Sequence, residues 1–264
     1  MELAYFYHNL SPIIFEIGPL QVRWYGVLYM SGFVFAYFLF RKMIREGFFK
    51  YDEKKIDSLL TYILLGVVLG ARFLYVIVYD NFFEHLSHPW TILAIWKGGL
   101  SFHGSVIGVC LVTWLVSKKE KFSFWHLSDV ICICVPLGLG FGRIGNFMNG
   151  ELFGRITDVP WAFVFKYGGT YPRHPSQLYE SFLEGFFLFG IFWFLRKKFK
   201  KEGTISFLFL IFYGVARFIA EFFREPDVQM GYYFNYFSMG QILCFLMILS
   251  GLFLFILFPK RNFR

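Results

Sequence analysis

Long apolar runs, each about the length of a membrane-spanning helix, recur along the 264-residue chain. A spanning helix needs ~20 mostly apolar residues. The runs that meet this requirement are residues 22–40, 57–79, 99–117, 127–145, 176–195, 204–221 and 237–258. The pattern therefore predicts an all-α polytopic membrane protein, with seven transmembrane helices in a single integral membrane domain over residues 1–264.

Composition supports this prediction. Hydrophobic residues make up 57% of the chain and charged residues only 17%, whereas a soluble domain usually carries about 25% charged residues. The net charge of +8 does not indicate a nucleic-acid partner, because the basic residues flank apolar runs instead of forming one stripe. Lipid is therefore predicted to surround much of the chain.

The positions of lysine and arginine predict the orientation. Cytoplasmic loops carry an excess of both residues. Most of the 26 basic residues fall in segments that would share one side of a seven-helix protein, namely 41–55, 118–121, 196–201 and 260–264. This places the C-terminus in the cytoplasm and the N-terminus outside. The outer loops 80–97 and 146–175 are rich in turn residues, and we expect them to form a small cap on the outer face.

Polar residues inside or beside the apolar runs are candidates for function, because ionisable groups are costly in lipid. Tyr25 lies in the segment RWYG, where an interfacial anchor is the plain alternative. His103 lies in GGLSFHGS, where a satisfied core histidine is equally plausible. By the predicted topology, these segments and the two described next lie toward the outer half of the membrane.

Residues 142–157 hold the densest polar cluster. Arg143 and Arg155 offer forked donors for phosphate or carboxylate. Asn146 and Glu151 are interleaved with glycines such as Gly154, which let a backbone approach a ligand closely. The alternative is a buried network in which the arginines and the glutamate satisfy one another. The number of glycines favours a site for an anionic lipid.

A second cluster follows in residues 217–227. Arg217, Glu221 and Arg224 are spaced to lie on one face of the sixth helix. An intrahelical ion pair is the plain alternative, but it leaves one arginine in excess. That excess positive charge again indicates an anionic guest.

These residue types favour one kind of chemistry. No two histidines share metal-ligand spacing with a carboxylate, so no metal is expected, and no nucleotide-binding or serine-hydrolase fingerprint occurs. Substitution at a lipid carbon fits best, with an external nucleophile attacking and arginines stabilising the departing phosphate. A transporter or flippase for an anionic solute is the rival, although the polar segments all lie toward one side.

Several of these segments resemble one known family. The strings RWYG, GGLSFHG, GRIGNFMNGELFGRITDVPWAFVF, RHPSQLYE and RFIAEFFREPD resemble, in the same order, the bacterial prolipoprotein diacylglyceryl transferases. The resemblance implies a seven-helix enzyme of the bacterial plasma (inner) membrane, with its active site toward the periplasmic or outer face. Such an enzyme transfers the diacylglyceryl group of phosphatidylglycerol to the lipobox cysteine of a prolipoprotein. It forms a thioether, releases glycerol phosphate and needs no cofactor, in the first step of lipoprotein maturation.

The resemblance also implies residue roles. Catalytic roles fall on Tyr25, His103, Arg143 and Arg217, and substrate-binding roles on Arg143, Asn146, Glu151, Gly154, Arg155, Arg217, Glu221 and Arg224.

We expect Arg143 and Arg217 to bind the phosphate, while Tyr25 and Asn146 orient headgroup oxygens. Glu151 and Glu221 are expected to hold arginines in place. The general base stays open between His103 and arginine-assisted ionisation of the thiol, because a free thiol has a pKa of ~8.5.

Overall fold

The computed structural model describes residues 5–18, 20–80, 87–95, 98–225, 232–233 and 237–258. Seven long helices occur in this part of the chain, one at each predicted run. They are α1 (Trp24–Arg45), α2 (Ile56–Val78), α3 (Phe102–Glu120), α4 (Phe124–Asn149), α5 (Ser176–Lys198), α6 (Thr204–Glu221) and α7 (Met239–Leu257). The middle of α5, Ser181–Phe187, is π-helical.

Six of these helices are long and apolar enough to cross a membrane: α1, α2 with its preceding turn, α4, α5, α6 and α7. The remaining helix, α3, carries His103 in its first turn and Lys118 and Lys119 in its last, and these polar residues lower its mean hydropathy. The prediction of a mostly helical, multi-span protein is therefore confirmed.

Short strands and turns join the helices. Strand β1 (Phe6–His8) pairs in parallel with β4 (Phe163–Phe165), and β2 (Ile13–Ile17) pairs in antiparallel fashion with β3 (Leu20–Arg23). Strands β5 (Tyr232–Tyr233) and β6 (Phe237–Ser238) form a third pair. Two 3₁₀ turns, Glu53–Lys55 and Pro89–Leu93, precede α2 and α3.

The sequence did not predict these strands, because runs of two to five residues are too short to establish an alternating pattern. Of the loops expected to form a cap, residues 146–175 contain the end of α4 and β4. Residues 81–86 and 96–97 of the other loop lie outside the described residues, as do the basic residues of 260–264.

The chain divides into two compact units, Phe40–Val130 and the combination of Met1–Leu39 with Ile131–Arg264. In the Phe40–Val130 unit, α2 and α3 pack through glycines. A Cβ atom built on Gly66 would lie 2.9 Å from the carbonyl oxygen of Gly108, and one built on Gly70 would lie 2.9 Å from Gly108 Cα. Gly66 and Gly70 are four residues apart, and this spacing on one helix face allows the close approach.

In the other unit, α4 and α5 also approach through small residues. Ser181 Oγ donates a 2.9 Å hydrogen bond to the carbonyl oxygen of Gly140, and a Cβ atom on Gly140 would lie 3.2 Å from Gly185 Cα. Helices α6 and α7 meet in the same way, since a Cβ atom on Gly214 would lie 3.1 Å from the carbonyl oxygen of Cys244. This backbone proximity brings the polar side chains of α4 and α5 within reach of one another.

Candidate active site

The approach of α4 to α5 determines where Arg143 lies. Arg143 follows Gly140 by three residues, so both lie on the same face of α4. On α5, Glu180 immediately precedes the π-helical segment and Glu184 lies within it. Arg143 Nε is 2.8 Å from Glu180 Oε2, and Arg143 Nη2 is 3.9 Å from Glu184 Oε2. The arginine of the 142–157 cluster therefore pairs with carboxylates of the next helix.

Arg217 reaches the same carboxylates from α6. Its Nη1 is 2.8 Å from Glu180 Oε2 and 3.3 Å from Glu184 Oε1. Its Nη2 is 2.7 Å from Glu221 Oε2, which is the intrahelical pair that the spacing allowed. Ser238 Oγ donates a 2.9 Å hydrogen bond to Glu221 Oε1, so the residue before α7 fixes the partner of Arg217.

Arg224 completes the cluster, with Nη1 3.6 Å from Glu180 Oε2. The expectation that Arg224 continues one face of the sixth helix is wrong, because α6 ends at Glu221. Arg224 instead lies in extended backbone that bridges Gly154 in antiparallel fashion. We call Arg143, Glu180, Glu184, Arg217, Glu221 and Arg224 the buried charge cluster.

Burial makes the charges of this cluster interdependent. The side chain of Glu180 is 1% exposed and that of Glu184 is fully buried. An unpaired charge in such a place is very costly. The cluster contains three arginines and three glutamates and is formally neutral. The excess of positive charge inferred from residues 217–227 is therefore offset, because α5 supplies two further carboxylates.

Sequence reasoning missed Glu180 and Glu184 as site residues. Glu180 ends the string RHPSQLYE, and Glu184 follows it by four residues. The signal was present: two acids four residues apart interrupt the apolar run 176–195. Intramembrane acids are rare enough to indicate function.

Gly154 and Arg155 hold the end of α6. The Gly154 amide donates to the carbonyl of His174 at 2.9 Å, and a Cβ atom on Gly154 would lie only 2.7 Å from that same oxygen. Arg155 donates from Nε to the carbonyl of Arg224 at 2.9 Å and from Nη2 to that of Glu221 at 3.4 Å. Arg155 thus binds carbonyl groups that the helix end leaves unpaired.

The 142–157 segment changes conformation at its middle. Helix α4 continues to Asn149, and Gly150 and Leu152 then adopt positive φ angles of 66° and 55°. Glu151, between them, accepts hydrogen bonds from Asn146 Nδ2 at 2.9 Å and Asn149 Nδ2 at 3.0 Å. The expectation that Glu151 holds an arginine is not met by these bonds, which orient two asparagines instead.

Tyr25 lies in the first turn of α1, close to this segment. A Cβ atom on Gly145 would lie 2.8 Å from Tyr25 Cδ2, so only glycine leaves room for the ring. The ring stacks on Tyr29 with centroids 6.1 Å apart. Tyr25 is 37% exposed, so part of this residue is accessible beside α4.

Three polar side chains form a hydrogen-bonded network at the start of α5. Trp161 Nε1 donates to the Tyr179 hydroxyl at 2.6 Å, and that hydroxyl is 3.2 Å from His174 Nδ1. Partial burial lowers the pKa of His174 below its usual value, which favours neutral imidazole at pH 7. His174 therefore adds no charge near the end of α6.

His103 belongs to the Phe40–Val130 unit. It is exposed in the first turn of α3, where the Ser101 side chain caps the helix by accepting from the Gly104 amide. The buried Arg72 guanidinium donates to the carbonyls of Thr91, Ile92 and Gly98 at 2.9, 2.9 and 2.8 Å. These bonds fix the chain that leads into the turn carrying His103.

The buried charge cluster is suited to binding an anion. Three guanidinium groups converge on one carboxylate oxygen, Glu180 Oε2. The same arrangement of forked donors suits a phosphate oxygen.

Comparison with known proteins identifies the family. The profile described as "Prolipoprotein diacylglyceryl transferase" matches residues 12–257. The chain is 45% identical to the phosphatidylglycerol–prolipoprotein diacylglyceryl transferase of Nitratidesulfovibrio vulgaris (strain DP4), over 93% of this chain and 94% of the relative. Identity is 45% to the protein of that name from Legionella pneumophila (strain Lens), over 94% and 97%. It is 48% to the one from Mannheimia succiniciproducens, over 96% and 95%. The chain therefore belongs to the prolipoprotein diacylglyceryl transferase family.

Proposed function

We propose that this chain transfers the diacylglyceryl group of phosphatidylglycerol to the lipobox cysteine of a prolipoprotein. The observation that carries the proposal is the convergence of three guanidinium groups on one point among apolar helices. The names of the relatives supply phosphatidylglycerol as the lipid and a prolipoprotein as the acceptor. Family membership does not favour the rival interpretation as a transporter.

The proposed reaction is a substitution at the glyceryl carbon that carries the phosphate. The cysteine sulfur forms a C–S bond to that carbon, the C–O bond breaks, and glycerol phosphate leaves with the electron pair. Negative charge concentrates on the departing phosphate. Arg143 and Arg217 are proposed to stabilise it, since preorganised donors in a water-poor site are the most effective electrostatic catalysts.

The remaining residues of this unit are proposed to position the reactants. Tyr25 and Asn146 would orient the headgroup, with Glu151 holding Asn146 at 2.9 Å. Glu221 would hold Arg217 at 2.7 Å.

Gly154 and Arg155 would support Arg224. Their support rests on the backbone bridge between Gly154 and Arg224 and on the 2.9 Å bond from Arg155 Nε to the Arg224 carbonyl.

His103 is proposed as the general base that takes the thiol proton. Imidazole is the side chain best suited to accept a proton near neutral pH, and His103 is exposed. The alternative is that arginines lower the thiol pKa and His103 only positions a reactant. A pH profile distinguishes the two, as described in the Discussion.

The proposed topology has seven spans, an outer cap, an outside N-terminus and a cytoplasmic C-terminus in the bacterial plasma membrane. Its support is the distribution of lysine and arginine, with α3, which has 19 residues, as the seventh span. Reporter fusions after Lys121 and after Lys201 would both report a cytoplasmic position. An external position for either would contradict the proposal.

The decisive assay uses purified protein, phosphatidylglycerol vesicles and a lipobox peptide. The peptide mass should rise by one diacylglyceryl group, and a peptide with Ser in place of Cys should not react. Replacement of phosphatidylglycerol by phosphatidylethanolamine should abolish the product. A folded protein that leaves the cysteine peptide unmodified would contradict the proposal.

A further inference from the structure

One glutamate occupies the point that an anionic ligand would need. Glu180 Oε2 lies 2.8 Å from Arg143 Nε, 2.8 Å from Arg217 Nη1 and 3.6 Å from Arg224 Nη1. The three guanidinium groups come from α4, from α6 and from the extended residues after α6. A carboxylate oxygen at such a convergence has the charge and the size of a phosphate oxygen.

These contacts are ion pairs of poor hydrogen-bond geometry. Neither oxygen of Glu180 accepts a hydrogen bond from the described residues, although the side chain is only 1% exposed. Glu221 differs, because Ser238 Oγ and Arg217 Nη2 both donate to it. A buried carboxylate without hydrogen bonds recovers little of its desolvation cost. Among the described residues, Glu180 is therefore held by charge attraction to the arginines and not by directed hydrogen bonds.

The charge balance of the cluster shows what an anionic ligand would do to Glu180. The cluster is neutral with Glu180 in place, and a phosphodiester would add one negative charge to it. Arg143 and Arg217 cannot give their full interaction to a phosphate while Glu180 Oε2 holds both at 2.8 Å. Arg224 Nη1 lies farther from Glu180 Oε2, at 3.6 Å. A Glu180 side chain that leaves Arg143 and Arg217 can therefore shift toward Arg224.

We propose that Glu180 is an internal counter-anion, which the lipid phosphate displaces from Arg143 and Arg217 and which returns to them when glycerol phosphate leaves. Glu180 is then a positioning residue that weakens phosphate binding and speeds product release. The π-helical segment begins at the next residue, and π segments are frequent at functional sites. This inference rests on the proposed function.

The test removes the charge of Glu180 and keeps its shape. Binding of glycerol phosphate to purified Glu180→Gln is measured by calorimetry, and turnover is measured with phosphatidylglycerol and a lipobox peptide. The Kd for glycerol phosphate should fall about tenfold, because the arginines lose a competing anion. KM for phosphatidylglycerol should fall as well, and kcat should fall because the product leaves slowly.

Glu53→Gln is the matched control. Glu53 is also shared by two arginines, Arg41 and Arg45, but it belongs to the Phe40–Val130 unit. Its replacement should leave the Kd for glycerol phosphate and the turnover unchanged. A fall in Kd for both variants would show a general charge effect and would overturn the proposal.

A merely structural role for Glu180 gives the opposite binding result. An unchanged or higher Kd in folded Glu180→Gln would overturn the proposal, because arginines that lose a support bind anions less well. If Glu180→Gln does not fold, Glu180→Asp takes its place. Its carboxylate is withdrawn by one methylene, and its Kd should fall about threefold; an unchanged Kd would contradict the proposal.

Calorimetry separates this inference from the proposed function. If the wild-type protein binds glycerol phosphate but makes no thioether, the proposed reaction is contradicted. The role of Glu180 can then still be tested, because the Kd for glycerol phosphate can be compared between wild type and Glu180→Gln. A wild-type protein that makes the thioether, with no tightening in Glu180→Gln, would contradict only the counter-anion.

Discussion

Each of the two units contains a glutamate shared by arginines, and the two are built differently. Glu53, in the Phe40–Val130 unit, accepts hydrogen bonds from Arg41 Nε at 2.7 Å and from Arg45 Nη2 at 2.8 Å. One third of its side chain is exposed, at 33%. Glu180 lies 2.8 Å from two arginines and 3.6 Å from a third, but it is 1% exposed and accepts no hydrogen bond from the described residues.

The difference shows which cluster costs more free energy to bury. Exposed ion pairs contribute little, about 0–1 kcal/mol. Buried ion pairs lose solvation that their attraction barely repays, and apolar replacements are often as stable. Stability alone therefore does not explain the buried charge cluster, and the proposed anion binding supplies a reason for it. The predictions below test whether the two clusters differ in this way.

Replacement of Arg143 tests the contrast most severely. Arg143→Ala should lower thioether formation about 1,000-fold, because a donor to the departing phosphate is lost. Glu180 keeps Arg217 as a partner at 2.8 Å, so the protein should still fold. Arg45→Ala, which removes one partner of Glu53, should retain activity within about twofold. Mass spectrometry of the lipobox peptide measures both variants. Comparable losses in both would remove the distinction between the clusters.

His103 tests whether the unit that contains the Glu53 cluster contributes chemistry. If His103 takes the thiol proton, His103→Gln should lower kcat about 100-fold at pH 6. The loss should be much smaller at pH 9, where a free thiol with a pKa of ~8.5 ionises unaided. Initial rates across this pH range measure the effect. Equal losses at both values would favour a positioning role.

The support of Glu221 offers a smaller effect. A Cβ atom on Gly240 would lie 2.7 Å from Glu221 Oε1, whereas one on Gly190 would meet no atom of the described residues within 4 Å. Gly240→Ala should displace Glu221 from Arg217 and lower kcat about tenfold. Gly190→Ala, in α5, should keep full activity. Equal activity of the two variants would show that the position of Glu221 does not matter.

Replacement of Glu53 should have the smallest effect. Glu53→Gln removes a partly exposed ion pair, so the free energy of unfolding should change little and the activity should be unchanged. Thermal unfolding in detergent and the peptide assay measure the two quantities. A large loss of either would mean that the Glu53 cluster is not an ordinary surface pair.

Several features follow from local sequence. The bounds predicted for the sixth helix, 204–221, agree with α6 (Thr204–Glu221), because that run is mostly apolar and follows Gly203. The four-residue spacing of Gly66 and Gly70 allows the close contact that α2 and α3 form. The polar residues of the 142–157 segment stand out because the run before them, 127–145, is apolar. Each of these inferences depends on residues within a few positions of one another.

Other features depend on residues far apart in the chain. Periodicity placed Arg224 on a helix, but α6 ends at Glu221 and Arg224 pairs with backbone at Gly154. Glu151 was expected to hold an arginine, but Asn146 and Asn149 donate to it. Local spacing predicts which residues share a face, but it does not predict which face of another helix they meet.

The sequence alone predicts that lipid surrounds much of this chain, that its apolar runs form helices, and that arginines and glycines mark a site for an anion. Those predictions rest on composition and on local periodicity. The pairing of the arginines with Glu180 and Glu184 is visible only in the tertiary structure, because it depends on the contact between Gly140 and Gly185. A charge count along the chain gives the arginines but not their partners, since the energy of a buried charge depends on what packs against it.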